Sequence, residues 1–386
     1  MISKRYRPAV IAGLTMAVMS GPLLAYPANA TTRTPAPAVD AADSAPREAD
    51  RRTAATFARI AEDVLSRRTQ ALVQGRGGSQ DSTAKTRMSV RLKKDEDAAL
   101  RSLRSRKSRL AALGEAYTDA KTRVVVERAT VTGRTATVRA TASSTLTYKK
   151  VRGDEPDTTA FSTRQELTFA ATRNGWELTS VTSRDNGPVA VDEPPTARVK
   201  TVKDDGKQYP SGTPASTAYP TRPTPRKTGG AYDYSAMARY TEKYWRTYNT
   251  AYRQFNGAGG DCTNFVSQAL KAGGWKSVPG TSSDYRNWWY DGARQSGSWV
   301  GVNEWAWFTL SNRRAPNLTN VYQLDVGDVL QVDFDRNGSK DHSMMVTYRD
   351  RRGMPYLTYH STDTYRRSLA SIIASYPNAR YFAYRT

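Results

Sequence analysis

Between residues 186 and 230 the chain has almost nothing it could bury. The stretch "DEPPTARVKTVKDDGKQYPSGTPASTAYPTRPTPRKTGG" is rich in Pro, Thr, Gly and charge, a composition that favours an extended, semi-rigid linker. It therefore predicts two separate modules, 50–185 and 231–386, each burying a core of its own. Disulfides cannot hold either one together, because Cys262 is the only cysteine and a single cysteine has no internal partner.

Residues 1–30 run from Lys4, Arg5 and Arg7 through "PAVIAGLTMAVMSGPLLA" to "ANA", the basic, apolar, small-residue order of a secretory signal peptide. Gly13, Gly21 and Pro22 interrupt the apolar run, which makes a retained membrane anchor the weaker reading. Secretion, possession of no transmembrane anchor and a disordered lead-in over 31–49 are expected. A thiol kept outside the cell is a liability unless it works, although a buried, inert cysteine is the alternative. The formal net charge is +22, and +19 once the three basic residues of the leader are removed. Such a charge favours an anionic partner by nonspecific attraction. For an exported chain the nearest candidates are wall polymers, anionic lipid headgroups and extracellular nucleic acid, and charge alone does not choose among them. Peptidoglycan or another anionic wall polymer is the partner expected, with no specific nucleic-acid binding. Residues 231–386 hold nineteen Lys and Arg against thirteen Asp and Glu, so most of the excess lies upstream of the cysteine.

In 50–185, Phe57, Ile60, Ala61, Val64, Leu65 and Leu72 recur at helical spacing up to "GRGG", and Leu100, Leu103, Leu110 and Leu113 form a second stripe ending at Gly114. The run "RSLRSRKSR" on the second helix is expected to be its solvated face. Four β-like runs follow, "TRVVVERATVTG", "RTATVRATASSTLTY", "FSTRQELTFAATRNG" and "WELTSVTSRD". Helices followed by an antiparallel meander indicate an α+β accessory domain. By element order alone it resembles the cone-shaped folds of the cystatin and nuclear transport factor type. It has no Cys or His, which argues against nucleophilic or metal chemistry there.

After residue 231 the composition changes, with all but one of the eight Trp lying beyond it. In "NGAGGDCTNFVSQALKAGGW", Phe265, Val266, Ala269 and Leu270 share one helical face, Asp261 is a natural N-cap and Gly273 a stop. Cys262 then sits in the first turn, where unpaired N–H groups and the positive helix end are expected to lower a thiol pKa and to hold a developing oxyanion. The mature chain offers two histidines, His342 in "DHSMMVTY" and His360 in "MPYLTYHST". These runs, with "DVGDVLQVDF" before them, predict three strands joined by hairpins. A turn centred near Arg351 would set His342 directly opposite His360, while a slip of one residue would put them on opposite faces. The expected arrangement is Cys262 attacking, His342 as base and then acid, and His360 orienting His342.

The blocks "GGDCTNFVSQAL", "WVGVNEWAWF", "LDVGDVLQVDFDRNGSKDHSMMVTY" and "YLTYHSTDTYRRSL" together resemble the bacterial putative amidase domain, a branch of the papain-like superfamily that also holds the cysteine, histidine-dependent amidohydrolase/peptidases of cell-wall turnover. The resemblance covers about 231–386. It implies a nucleophile helix packed on a small antiparallel sheet, with Cys262 as nucleophile, His342 as base and His360 as the third, orienting residue. The superfamily also uses Asn or Asp in that third place, and Asp363 lies close by. Asn264 is read as polar support for the site or an ordinary first-turn residue. The implied chemistry is amide hydrolysis through a thioester, with no cofactor and with a monomer expected.

Two further signals are weaker. Asp333, Asp335, Asn337, Gly338 and Asp341 have the spacing that opens a calcium loop, but Met344 stands where a closing Glu belongs, and "NG" is also a hairpin turn. Trp288, Trp289, Trp305 and Trp307 could line a substrate groove, although tryptophans usually serve the core. The reading is a secreted cysteine amidohydrolase or peptidase, acting on peptidoglycan. The alternatives are an enzyme acting on peptides outside the wall and a wall-binding protein with a vestigial triad.

Overall fold

Asp50 accepts a hydrogen bond from the Thr53 amide at 2.8 Å and starts α1 (Arg51–Gln70), whose stripe of Phe57, Ile60, Ala61, Val64 and Leu65 is buried. The computed structural model describes residues 45–75, 87–194, 208–210, 212–258 and 260–386. The signal-peptide segment, most of the lead-in and the middle of the proline-rich stretch lie outside them. The end of the expected lead-in is not irregular: β1 (Arg47–Glu48) pairs with the strand that follows the helices. Ser89 caps α2 (Val90–Ala112). Then come β2 (Tyr117–Thr132), β3 (Thr135–Tyr148), β4 (Thr158–Thr172) and β5 (Gly175–Ser183), an antiparallel meander. Val138, Leu167, Phe169 and Leu178 on its inner face pack with α1.

The second half contributes α3 (Tyr234–Tyr244), α4 (Cys262–Ala272), α5 (Gly297–Val300), α6 (Val302–Ser311), β6 (Asn317–Leu318), β7 (Val329–Asp333), β8 (His342–Arg349), β9 (Pro355–Tyr359), β10 (Asp363–Ser368), α7 (Leu369–Ser375) and β11 (Arg380–Tyr384). Helices and antiparallel strands make this an α+β protein, as expected. No helix among the described residues is long and apolar enough to cross a membrane.

The two halves do not stand apart. Asp363, Thr364 and Tyr365 of β10 pair with Ser162, Phe161 and Ala160 of β4, so one sheet runs β1-β2-β3-β4-β10-β9-β8-β7-β11-β6, with β5 also on β4. One core draws Leu103, Leu110, Tyr117 and Phe161 from the first half and Met344, Leu357, Tyr359 and Ile372 from the second. The start of the expected linker is also buried. Val189, Ala190 and Val191 are threaded under two buried guanidiniums, with Arg367 donating to Val189 O at 2.9 Å and Arg106 to Val191 O at 2.6 Å. Arg106 belongs to the run expected to face solvent. Burial instead lowers its pKa to about 10. Further along, the Ala215 amide donates to Tyr381 O at 2.7 Å.

A buried ion pair crosses between the halves. Arg152 Nε lies 2.6 Å from Asp350 Oδ2, and a terminal nitrogen donates to the Tyr356 hydroxyl at 2.9 Å. Removing one partner of such a pair strands the other charge out of water, at a cost of about 3–5 kcal/mol. Because Glu155 stays 3.6 Å from Arg152 as a second counter-charge, Asp350→Ala is expected to destabilise the described chain by somewhat less than that, in a single transition monitored by urea denaturation. A variant that unfolds in two steps, with the second as in the parent, would show that the halves are energetically separate.

Candidate active site

Asp261 occupies the N-cap position of α4 but does not cap it. Its carboxylate is turned away and fully buried. Oδ1 accepts from the Phe255 amide at 2.8 Å and from the Asn264 side-chain amide at 2.9 Å, while Oδ2 lies 2.8 Å from His360 Nδ1. The Asp261 amide donates to Ser361 Oγ at 2.8 Å. This residue thus ties the helix start to the end of β9. Asn264 completes the tie by donating to Arg253 O and accepting from Trp299 Nε1, at 2.9 and 2.8 Å.

His360 stacks between Phe265 and Tyr248, with ring centroids 3.6 and 4.0 Å away. Its Nε2 lies 2.8 Å from Tyr244 O. Both ring nitrogens therefore face acceptors other than His342, which corrects the orienting role expected of His360. The reason is strand register. Met345 pairs with Thr358; continued toward the histidines, this register sets His342 against Ser361 and Ser343 against His360. That is the one-residue slip that places the two imidazoles on opposite faces. His342 instead meets Tyr359 edge-on, with centroids 5.2 Å apart. Asp363 belongs to the His360 side as well: it accepts from the Tyr248 hydroxyl at 2.9 Å, and burial pushes its pKa up to about 6.

The residues that follow Cys262 and His342 in the chain meet. Thr263 Oγ1 and Ser343 Oγ are 3.0 Å apart, which fixes the first turn of α4 on the first residues of β8. The Cys262 sulfur lies 3.8 Å from Thr263 Oγ1 in the same turn. The thiol does not have the lowered pKa expected of a helix start: burial pushes it up, the Asp261 charge adds to this, and the Ser343 amide and Thr263 only partly oppose it. Burial therefore works against a thiolate at this helix start. Carbamidomethylation of Cys262 in the native protein should reach half its limiting rate above about pH 8.5, the midpoint of an ordinary thiol. A plateau below pH 7 would reveal a preformed thiolate.

After His360 the chain makes a turn that local sequence does not announce. Ser361 and Thr362 have φ of 61° and 80°, a left-handed conformation that is strained for a β-branched residue. The Thr362 hydroxyl donates to Pro188 O at 2.6 Å, and Gly187 lies so close that a Cβ there would stand 1.2 Å from Ser361 O. Only glycine fits at that crossing.

The tryptophans divide. Trp288 and Trp305 are fully buried core residues and line no groove, and Trp307 stacks on Tyr209 at 3.7 Å. Trp289 borders a cavity of about 490 Å³ beside Arg253 and Arg294. In the β7–β8 loop, carboxylate oxygens of Asp333, Asp335 and Asp341 lie within 4.8 Å of one another. The Asn337 side chain donates to Asp335 at 3.0 Å and the Gly338 amide to Asp333 at 3.1 Å. Burial raises the Asp333 pKa. These are oxygen donors of the kind that hold a hard cation, joined here by a loop that also closes a hairpin.

Residues 231–384 match the family model described as a putative amidase domain. The uncharacterized protein YhbB of Bacillus subtilis (strain 168) is 30% identical over 155 residues, covering 39% of this chain and 49% of its own length. The uncharacterized protein YjcM of the same organism is 30% identical over 144 residues, or 35% of this chain and 32% of its own. The matched stretch thus spans about half of the first relative and a third of the second. Among solved structures, the intermembrane space region of chloroplast protein ARC6 aligns with 33% of this chain and 95% of its own at 20% identity, with a TM-score of 0.21, a likeness too slight to bear on the fold.

Proposed function

We propose that 231–386 is a cysteine-dependent amidohydrolase or peptidase of the papain-like type, exported and acting on an amide bond of peptidoglycan. The observation that carries this reading is the 3.0 Å contact of Thr263 Oγ1 with Ser343 Oγ, which brings their chain neighbours Cys262 and His342 to one junction, at a helix start left without a side-chain cap. The thiol gives its proton to His342 as the sulfur attacks the amide carbonyl. The oxyanion develops at the uncapped N–H groups of the first turn. Collapse expels the amine, which takes the proton from His342 and leaves a thioester. Water, deprotonated by His342, then releases the acid and restores the thiol. His360 and Asp261 hold the helix start in place and touch no reacting atom. The leader pattern and the charge of +22 support a target outside the cell.

A second reading, a wall-binding protein without turnover, is favoured by the low exposure of Cys262, 5%, and by its raised pKa. Acid-quenched digestion of purified sacculi separates the two. Hydrolysis predicts new amine termini and a thioester adduct on the Cys262 peptide in the mass spectrum, both absent from Cys262→Ala. Intact sacculi and an unmodified thiol would sink the enzymatic reading. Digestion of soluble peptides but not of sacculi would move the substrate off the wall.

A further inference from the structure

A cavity of about 310 Å³ lies beside the nucleophile turn, in a cleft that exists because β10 docks on β4. One wall is backbone and hydroxyl from the site itself: Gly257, Gly260 and Ser361. The other is a set of arginines from the first half, Arg139 on β3, Arg164 on β4 and Arg184 just past β5. Asp185 fixes the Arg164 guanidinium, with Nε 3.0 Å from Oδ1. Arg184 and Glu166 are a loose pair at 3.5 Å, each 43% exposed, and a pair of that kind is worth little in water. Arg139 is paired through its backbone within the sheet, and its guanidinium has no hydrogen-bond or ion-pair partner among the described residues. Glu127 is the one acidic lining residue, and its carboxylate accepts the Thr141 hydroxyl.

Arginines gathered in a cleft and only partly neutralised suit an anion with two coplanar oxygens, which guanidinium forks grip in pairs. Gly260 precedes Cys262 by two residues, so their Cα atoms are no more than about 7.6 Å apart. A peptide residue spans roughly 3.5 Å, and a substrate whose amide is held at Cys262 reaches the cavity within one or two residues.

Building on the amidase reading, we propose that this cavity is the subsite for a free carboxylate of the substrate, so that the first half of the chain selects wall peptides with an unamidated carboxyl group next to the scissile amide. The site is then shared between the two halves, and neither half alone forms both its walls.

The test uses the full chain and sacculi stripped of phosphate-linked polymers with hydrofluoric acid, offered either native or with their carboxyl groups converted to carboxamides. The parent is expected to release soluble fragments about 10-fold faster or more from the native material. Arg139→Gln/Arg184→Gln should lose that preference through a raised KM, falling to the rate on amidated sacculi and leaving that lower rate unchanged. Both side chains are exposed, and an unaltered Tm checks the fold. Arg101→Gln/Arg104→Gln on α2 removes the same charge elsewhere and should keep the preference. Equal loss on both materials, or an equal effect of the control pair, overturns the subsite while leaving the amidase reading standing. If the parent digests neither material, the amidase reading falls. The subsite is then judged by co-sedimentation of Cys262→Ala with native and amidated sacculi. Preference for native material that vanishes only with the Arg139 and Arg184 substitutions upholds the subsite, and any other pattern rejects it.

Discussion

His342→Gln is expected to lower kcat on sacculi by about 10³-fold or more while leaving Tm nearly unchanged. The size of the effect follows from the thiol. Because burial raises the Cys262 pKa, the thiolate is disfavoured in advance, and the proton has to leave during the attack. A positioned base supplies about 10²–10⁴-fold in such a step, and His342 is the imidazole that stands at the strand start touching the nucleophile turn. Glutamine keeps a polar side chain of similar reach but cannot take the proton. The thioester adduct should become undetectable at short times, while carbamidomethylation of Cys262, which needs no enzyme base, persists. Turnover above about a tenth of the parental value would assign the base to another group. A fall in Tm matching the fall in rate would mean that His342 is structural.

Elements whose burial follows a local period were legible in the amino-acid order. The α1 stripe from Phe57 to Leu65 and the four strands of the meander formed where the spacing predicts them, and so did α4, with Cys262 in its first turn. What was not legible depends on contacts between distant segments. The pairing of β4 with β10 leaves no trace in either strand taken alone, since an edge strand and an inner strand alternate alike. A composition poor in large apolar residues marked 186–192 as linker, yet Val189 and Val191 are buried there by Arg367 and Arg106. The histidine pair failed through register. A bulge between Val346 and Tyr348 changes the pairing of β8 with β9, and bulges carry no reliable local signature. One residue of slip exchanged His342 for Ser343 on the face of His360. Asp261 was legible as a helix-start residue but not as a hub, because its partners Phe255, His360 and Ser361 converge only in the folded chain.

Asp261→Ala is expected to cost about 3–5 kcal/mol of stability and to abolish turnover with it. Three groups lose their acceptor together: His360 Nδ1, the Phe255 amide and the Asn264 side chain. All lie where water does not replace the carboxylate, and a buried polar group left unmet costs about 1–3 kcal/mol by itself. The strained turn at Ser361 and Thr362 is weakened too, because the Asp261 amide that holds Ser361 Oγ moves with its residue. Stability is read from the urea midpoint and activity from fragment release. The decisive comparison is the double variant Asp261→Ala/His360→Phe. A phenyl ring fits the stack between Phe265 and Tyr248 without asking for a proton acceptor, and replacing both members of a buried polar pair is far less damaging than removing one. The double variant should therefore be more stable than Asp261→Ala alone. If His360 serves only to hold the helix start, the double variant should also recover part of the turnover, since Cys262 and His342 are intact. Stability that falls further on adding His360→Phe would show that the imidazole has partners beyond Asp261 that matter more. Recovered stability with no turnover would return His360 or Asp261 to the reaction itself.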